Sequence, residues 1–362
     1  MTMDLAVLSN QHLSLVALGQ LSEARARHVL GAICYVAAPL TESAAPRIDA
    51  PLIRVLMPPL AEMKSAPSGQ ADTMAAAAAA DPVCDVWFSG SALEPGQRGD
   101  IRYRHDGSTL FGVIELAESA PEAGSTSTPL QHTTERAYRQ IFELLEALEY
   151  PYLFRLWNYM ADINGQSHGL ERYRQFNQGR QKAFIACRRD VVGNVPAACA
   201  LGAVSGPLTI AFLAGRQSPL AIENPRQISA FAYPDHYGPR SPTFARASLV
   251  RLGSEAVLFV SGTASIVGHR TVHPGDVQAQ TRETLTNIET IVQVANQQVA
   301  KPLFSLRNLL YRVYVRHSTD LAAIRDVMQE RMGPQFNAVF LQADVCRHDL
   351  LVEMEASASL PA

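Results

Sequence analysis

The feature that most constrains this chain is a repeat. In the first half, LFGVIEL (110–116) is followed by a loop, the helical pattern QHTTERAYRQI (131–141) and the strand LFRLWNY (153–159). In the second half, LFVSGTA (258–264) is followed by a loop, QAQTRETLTNI (278–288) and LYRVYVR (310–316). Strand, loop, helix and strand recur in one order with matching lengths, so two copies of one α+β unit packed side by side are the simplest reading. Apolar strands alternating with helices, and hairpins at the end, predict mixed sheets with helices on one face. The pattern divides the 362 residues into an N-terminal unit (1–185) with inserted loops and a C-terminal unit (186–362).

Local signals place the elements. Asp276 stands where an N-cap belongs, and from Val277 the apolar positions Leu285, Ile288, Ile291, Val292 and Ala295 fall at helical spacing. Thr128 and Pro129 open the corresponding first-half helix, which carries Ala137, Ile141, Leu144, Leu145 and Leu148 on one face. Further helices are predicted from Leu170 to Ala186 and from Asp320 to Met332. Strands are predicted over His12 to Leu18, Val29 to Ala37, Leu52 to Met57, Val86 to Leu93, Tyr152 to Ile163, Phe336 to Val345 and Leu350 to Ala356. Asp106-Gly107 marks a hairpin between Tyr103 and Leu110. Ser65 to Asp81, ending in the run Ala75 to Ala80, reads as a linker-like surface loop.

Composition excludes several function classes. A net charge of −3 without a basic block gives no electrostatic case for nucleic acid. No stretch reaches the roughly 18 uninterrupted apolar residues of a membrane helix, and the N-terminus lacks a basic leader, so a cytoplasmic protein is expected. The five cysteines are scattered without CxxC spacing, which indicates neither a disulfide framework nor a zinc knuckle. His269 and His273 flank Pro274 in a loop without a third ligand, so no metal is expected, and no phosphate loop or nucleophile elbow is present.

Two places could carry chemistry. In LLVEMEA (350–356) the alternation of a strand sends Glu353 and Glu355 to one face, opposite Val352 and Met354. A carboxylate buried there is costly unless paired or protonated, and desolvation would make it a general acid; a solvated sheet face with two surface glutamates is the plainer alternative. The stretch from Tyr237 to Arg246 is a Pro/Gly-stiffened loop with Arg240 and Arg246, able to grip carboxylates or simply to be solvated. Ser261-Gly262-Thr263-Ala264 ends a strand in small residues and leaves its backbone open to a ligand. Cys346, at a strand end, is by default a small buried residue.

Several long motifs in one order, VSGTASIVGHRTVHPGDVQAQTRETLTNI, GPRSPTFARA and LQADVCRHDLLVEMEA, together with NYMADIN and GLERYRQFNQGRQKAF, resemble the chorismatases. That resemblance covers most of the chain from about Tyr152 to Ala356. It implies two RidA-like or chorismate mutase-like α+β units packed in a pseudo-trimer-like arrangement, and hydrolysis of chorismate to pyruvate and a cyclic acid, without metal or cofactor. Such products supply polyketide starter units and aryl pigments. Carried over by position, Glu353 would be the acid that protonates the enolpyruvyl methylene, with Cys346 beside it in the catalytic set. Tyr237, Arg240, Arg246 and Arg316 would bind the dianionic substrate. Members with Cys346 and Gly262 resemble those that make 3-hydroxybenzoate, with 4-hydroxybenzoate a further product in some relatives. Those that make a dihydroxycyclohexadienoate have Ala in place of Cys346 and a larger residue in place of Gly262. RidA itself is an imine deaminase with an arginine on its penultimate strand; residues 335–341 here contain none. A deaminase, and a non-catalytic small-molecule binder of the same fold, are the rival readings. The expected partner is a small molecule, with neither nucleic acid nor membrane; monomer and homo-oligomer both stay open.

Overall fold

The computed structural model describes residues 7–39, 48–61, 80–121 and 124–362. Three sheets follow one another along the chain. The first has four strands, β1 (Leu8–Ser14), β2 (Val29–Val36), β3 (Leu52–Leu56) and β4 (Val83–Ser89), in the order β1-β4-β2-β3. Among the described residues, two short helices, α1 (Leu15–Gly19) and α2 (Glu23–Ala26), accompany it. Most of the Ser65–Asp81 insertion, including Ala75 to Ala79, lies outside the described residues.

The second sheet is built from β5 (Glu94–Arg98), β6 (Ile101–His105), β7 (Thr109–Leu116), β8 (Tyr152–Ala161), β11 (Ala197–Ala203) and β12 (Leu208–Gly215). Helices α3 (Pro129–Ala147) and α4 (Arg172–Ala186) cover its outer face, and a small hairpin, β9 (Gln166–Ser167) and β10 (Leu170–Glu171), precedes α4. The third sheet runs β13 (Leu220–Ile222), β14 (Ala247–Leu252), β15 (Glu255–Ala264), β21 (Val352–Pro361), β18 (Leu310–Val315) and β19 (Asn337–Gln342). It is backed by α5 (Val277–Asn296) and α6 (Leu321–Met332). A hairpin of β16 (Ile266–Val267) and β17 (Arg270–Thr271) follows β15, and β20 (Asp344–Val345) leaves the third unit to pair with β11, giving the second sheet its seventh strand.

The α+β class and the helix-backed mixed sheets agree with the repeat, and a strand-built first unit completes a threefold arrangement. Inner faces of all three sheets share one core that includes Trp87, Trp157, Phe259 and Tyr314. One tyrosine from each unit, Tyr35, Tyr159 and Tyr314, is buried there, with the hydroxyls of Tyr35 and Tyr159 2.9 Å apart. A boundary at 185/186 would cut the second sheet between α4 and β11; the sheets divide the chain between β4 and β5 and again between β12 and β13.

Local details follow the caps. Thr128 accepts from the Gln131 amide, and Asp276 from the Ala279 amide, as predicted. The Asp106-Gly107 turn joins β6 to β7. The run from His12 to Leu18 is not one strand: Ser14 ends β1 and its hydroxyl caps α1. The helix expected from Leu170 begins at Arg172, because Leu170 and Glu171 pair in the small hairpin. Cys34 and Cys84 are joined in a disulfide, contrary to the reading from spacing; they stand opposite each other in the antiparallel β2–β4 pair, a register that scattered positions do not reveal. Among the described residues no helix is long and apolar enough to cross a membrane.

Candidate active site

A cleft of about 390 Å³ opens between the second and third units. Its floor is the end of β15 and the start of β21, and its rim is formed by α4, the 233–246 loop and the β16–β17 hairpin. Clefts between packed units with a few convergent polar groups are the usual place for a small-molecule site.

Glu353 lies on this floor, 4% exposed. It pairs with Ala264 on one side and Tyr314 on the other. Burial raises its carboxyl pKa to about 7, against the opposing pull of Arg155, a hydrogen bond from Cys346 and, more weakly, Arg316. Cys346 Sγ stands 3.9 Å from Glu353 Oε2, and burial together with that carboxyl pushes the thiol up, so it stays protonated. The β15–β21 register shifts between Val260 and Thr263, placing Ser261 and Gly262 in a bulge. Ser261 locks that bulge across the unit boundary, donating to Ala245 O and accepting from Ala198 N. At Gly262 a Cβ would overlap Glu353 Oε1, so the glycine gives the carboxyl its place.

Glu355, two residues on, shares the face that strand alternation predicts but has a different fate. It is fully buried and receives Arg155, Arg312, the Trp157 indole (3.1 Å) and the Tyr314 hydroxyl (2.9 Å). Arg312 also pairs with Asp85 of the first unit at 2.9 Å. One glutamate faces the cleft with its carboxyl pushed up by burial; the other is ion-paired with Arg155 and Arg312 in the central network.

The cations divide in a way the sequence does not show. Arg246 is buried on the cleft wall: Nη2 donates to Ile228 O and to the Tyr233 hydroxyl, while Nε has no hydrogen-bond partner among the described residues. Tyr237 also lines the cleft, its hydroxyl donating to His269 O at 2.7 Å. Arg240 does not line it. It is exposed and borders a separate depression against α3 and α4. Arg316 does not line it either, because its guanidinium is spent on Leu350 O, Val345 O, Arg347 O, Asn164 and Asp344. It holds the segment that carries Cys346. Arg347 is a further cation of the cleft, one that the sequence motifs do not single out. Its guanidinium lies 4.2 Å above the Tyr237 ring and donates to His269 O. Its place next to Cys346 was the available signal.

The chain matches known proteins along its length. Residues 85–214 match the family described as Chorismatase FkbO/Hyg5-like, N-terminal. A 3-hydroxybenzoate synthase of Streptomyces hygroscopicus is 40% identical over 287 residues, 76% of this chain and 81% of the relative. A chorismatase of Streptomyces rapamycinicus is 36% identical over 75% of this chain and 80% of its own length. A crystal structure of a chorismatase superposes with a TM-score of 0.81 at 30% identity, covering 99% of this chain and all of that one. With that identity and coverage added to the cleft and its buried acid, the chain belongs to the chorismatase family.

Proposed function

We propose that this protein converts chorismate to 3-hydroxybenzoate and pyruvate, with Glu353 as the general acid. The observation that carries the reading is the buried Glu353 carboxyl, pushed up to about 7 at the base of the cleft between Gly262 and Cys346. A carboxyl of that acidity is protonated in a large fraction of molecules at neutral pH, as protonation of an enol ether carbon requires. The similarity to a 3-hydroxybenzoate synthase supports the product.

Glu353 gives its proton to the enolpyruvyl methylene, and the positive charge that forms is shared with the ether oxygen. The neighbouring ring hydroxyl then bonds to the ring carbon that carries the ether. The ether bond breaks, and its electrons leave with the oxygen that becomes the pyruvate carbonyl. The hydroxyl proton returns to the Glu353 carboxylate, and the strained ring intermediate isomerises to the aromatic product. Atoms balance without added water, so the acid is restored within one turnover. Arg246, with its free Nε, and Arg347 are suited to the two substrate carboxylates. Tyr237 supports Arg347 from below. Arg316 acts through the Cys346 segment.

The setting is the cytoplasm, with a small dianion as partner. An imine deaminase would need the arginine that residues 335–341 lack, and a simple binder has no use for a desolvated acid facing its ligand. The test is incubation of purified protein with chorismate without added metal or nicotinamide, followed by chromatography. Pyruvate with 3-hydroxybenzoate is expected, with any 4-hydroxybenzoate resolved beside it. Unchanged chorismate with folded protein defeats the reading.

A further inference from the structure

Behind Glu353 the cleft continues into an annex of about 30 Å³. Glu353, Gly262, Cys346, Tyr173 and Phe244 line both spaces, whereas Arg180 and Cys199 line only the annex. A space of that size holds one or two waters and no part of a substrate ring, since a water needs roughly 10–15 Å³. Arg180 is 1% exposed; Nη2 donates to Asn177 Oδ1 at 2.8 Å, the guanidinium lies 5.1 Å from the Phe176 ring centre, and Nε has no hydrogen-bond partner among the described residues. A buried donor without an acceptor costs about 1–3 kcal/mol, a cost that one water in the annex removes.

We propose that the annex is a water site at the back of the cleft and that Cys199, which limits its size, is a third specificity-determining residue beside Gly262 and Cys346. The proposal rests on the chorismate reading above. A water that accepts from Arg180 Nε has a lone pair engaged by a cation and can point its hydrogens at the Glu353 side, which makes it a weak nucleophile. Cys199 Cβ would lie 3.2 Å from a Cβ built on residue 262, so its side chain stands beside the Gly262 bulge in the annex wall. Trimming that side chain gives the annex room for a further water on the cleft side, out of reach of Arg180. In that variant the water oxygen bonds to the cationic carbon next to the new methyl group and its proton passes to the Glu353 carboxylate. The hemiketal then releases pyruvate and the ring alcohol, the hemiketal hydroxyl proton moving to the ring oxygen. One water is consumed, and the product is the non-aromatic diol.

The test has two readouts on the intact chain. A high-resolution crystal structure should show a water 2.7–3.2 Å from Arg180 Nε; a dry annex overturns the proposal. Cys199→Ala, assayed with chorismate, should raise the ratio of diol to 3-hydroxybenzoate at least tenfold (about 1.4 kcal/mol), while the bulkier Cys199→Val keeps the aromatic product. An unchanged ratio in an active Cys199→Ala protein overturns the specificity role. If that variant does not fold, the crystallographic water decides. Wild-type protein that leaves chorismate untouched defeats the function reading, and the specificity role with it, while the water at Arg180 is still read separately.

Discussion

Gly262 and Glu353 occupy one space: the position a Cβ would take on residue 262 is filled by Glu353 Oε1. The severe overlap is with the far end of a flexible side chain, and the approach to Cys199 Cβ at 3.2 Å asks only a few tenths of an ångström, so a substitution there moves the acid and spares the fold. Gly262→Ala should therefore keep a melting temperature close to wild type and lower 3-hydroxybenzoate formation at least tenfold, about 1.4 kcal/mol of transition-state stabilisation. Circular dichroism melting with a chromatographic assay checks both halves. A variant with full activity would show that the carboxyl need not sit against the bulge.

Glu353→Gln should lower turnover by about 10²–10⁴, the contribution of a positioned general acid, and leave chorismate binding close to wild type. Because the acid form is the working one and titrates at about 7, wild-type kcat should be highest below that pH and fall as pH rises through it. Stability has a related sign. The folded chain holds this proton from about 4.5 up to about 7 while the unfolded chain releases it, so the contribution is full below 4.5 and is lost as pH rises through 7. The glutamine variant should thus be the more stable protein at pH 8, by an amount on the order of 2–3 kcal/mol, with the gain shrinking toward pH 5. Urea titrations at the two pH values would reveal a gain of the opposite sign.

Sequence legibility follows the range of the forces involved. Asp276 and Thr128 act on amides three residues away, so both long helices are readable from their caps. The first unit's relation to the others is not, because its helices of five and four residues repeat nothing. Cys34 and Cys84 are 50 residues apart and meet only through strand register. Strand alternation correctly puts Glu353 and Glu355 on one face. What separates them, Arg155 and Arg312 arriving from other strands to claim Glu355, is tertiary. Arg240 and Arg246 share one loop, and nothing local says that only the second turns inward.

That division of the loop is testable. Arg246→Met removes a buried donor set facing the cleft and should lower kcat/KM by about 10–100-fold, as for hydrogen bonds to charged groups worth roughly 1.5–3 kcal/mol. Arg240→Ala, on an exposed residue outside the cleft, should stay within about twofold of wild type, in line with surface substitutions of ±0.5 kcal/mol. Steady-state kinetics on both proteins is sufficient. Equal losses would return Arg240 to the substrate clamp.

The central network predicts a second, opposite pH effect. His12 is largely buried, its side chain 11% exposed, with Nε2 3.8 Å from Asp85 Oδ1, and desolvation together with Arg312 lowers its pKa to about 3. Between 6.5 and 3 the unfolded chain takes up a proton that the folded chain refuses, so this contribution to stability is full above 6.5 and is lost as pH falls toward 3. His12→Gln should flatten the acid side of the stability profile by up to about 1.4 kcal/mol per pH unit within that window. Arg312→Met, by contrast, leaves Asp85 and Glu355 without their shared cation and should cost about 3–5 kcal/mol at neutral pH. Denaturant unfolding of the three proteins from pH 4 to 8 separates the effects. A His12→Gln profile parallel to wild type would mean that His12 is already protonated in the folded chain, against the buried network described here.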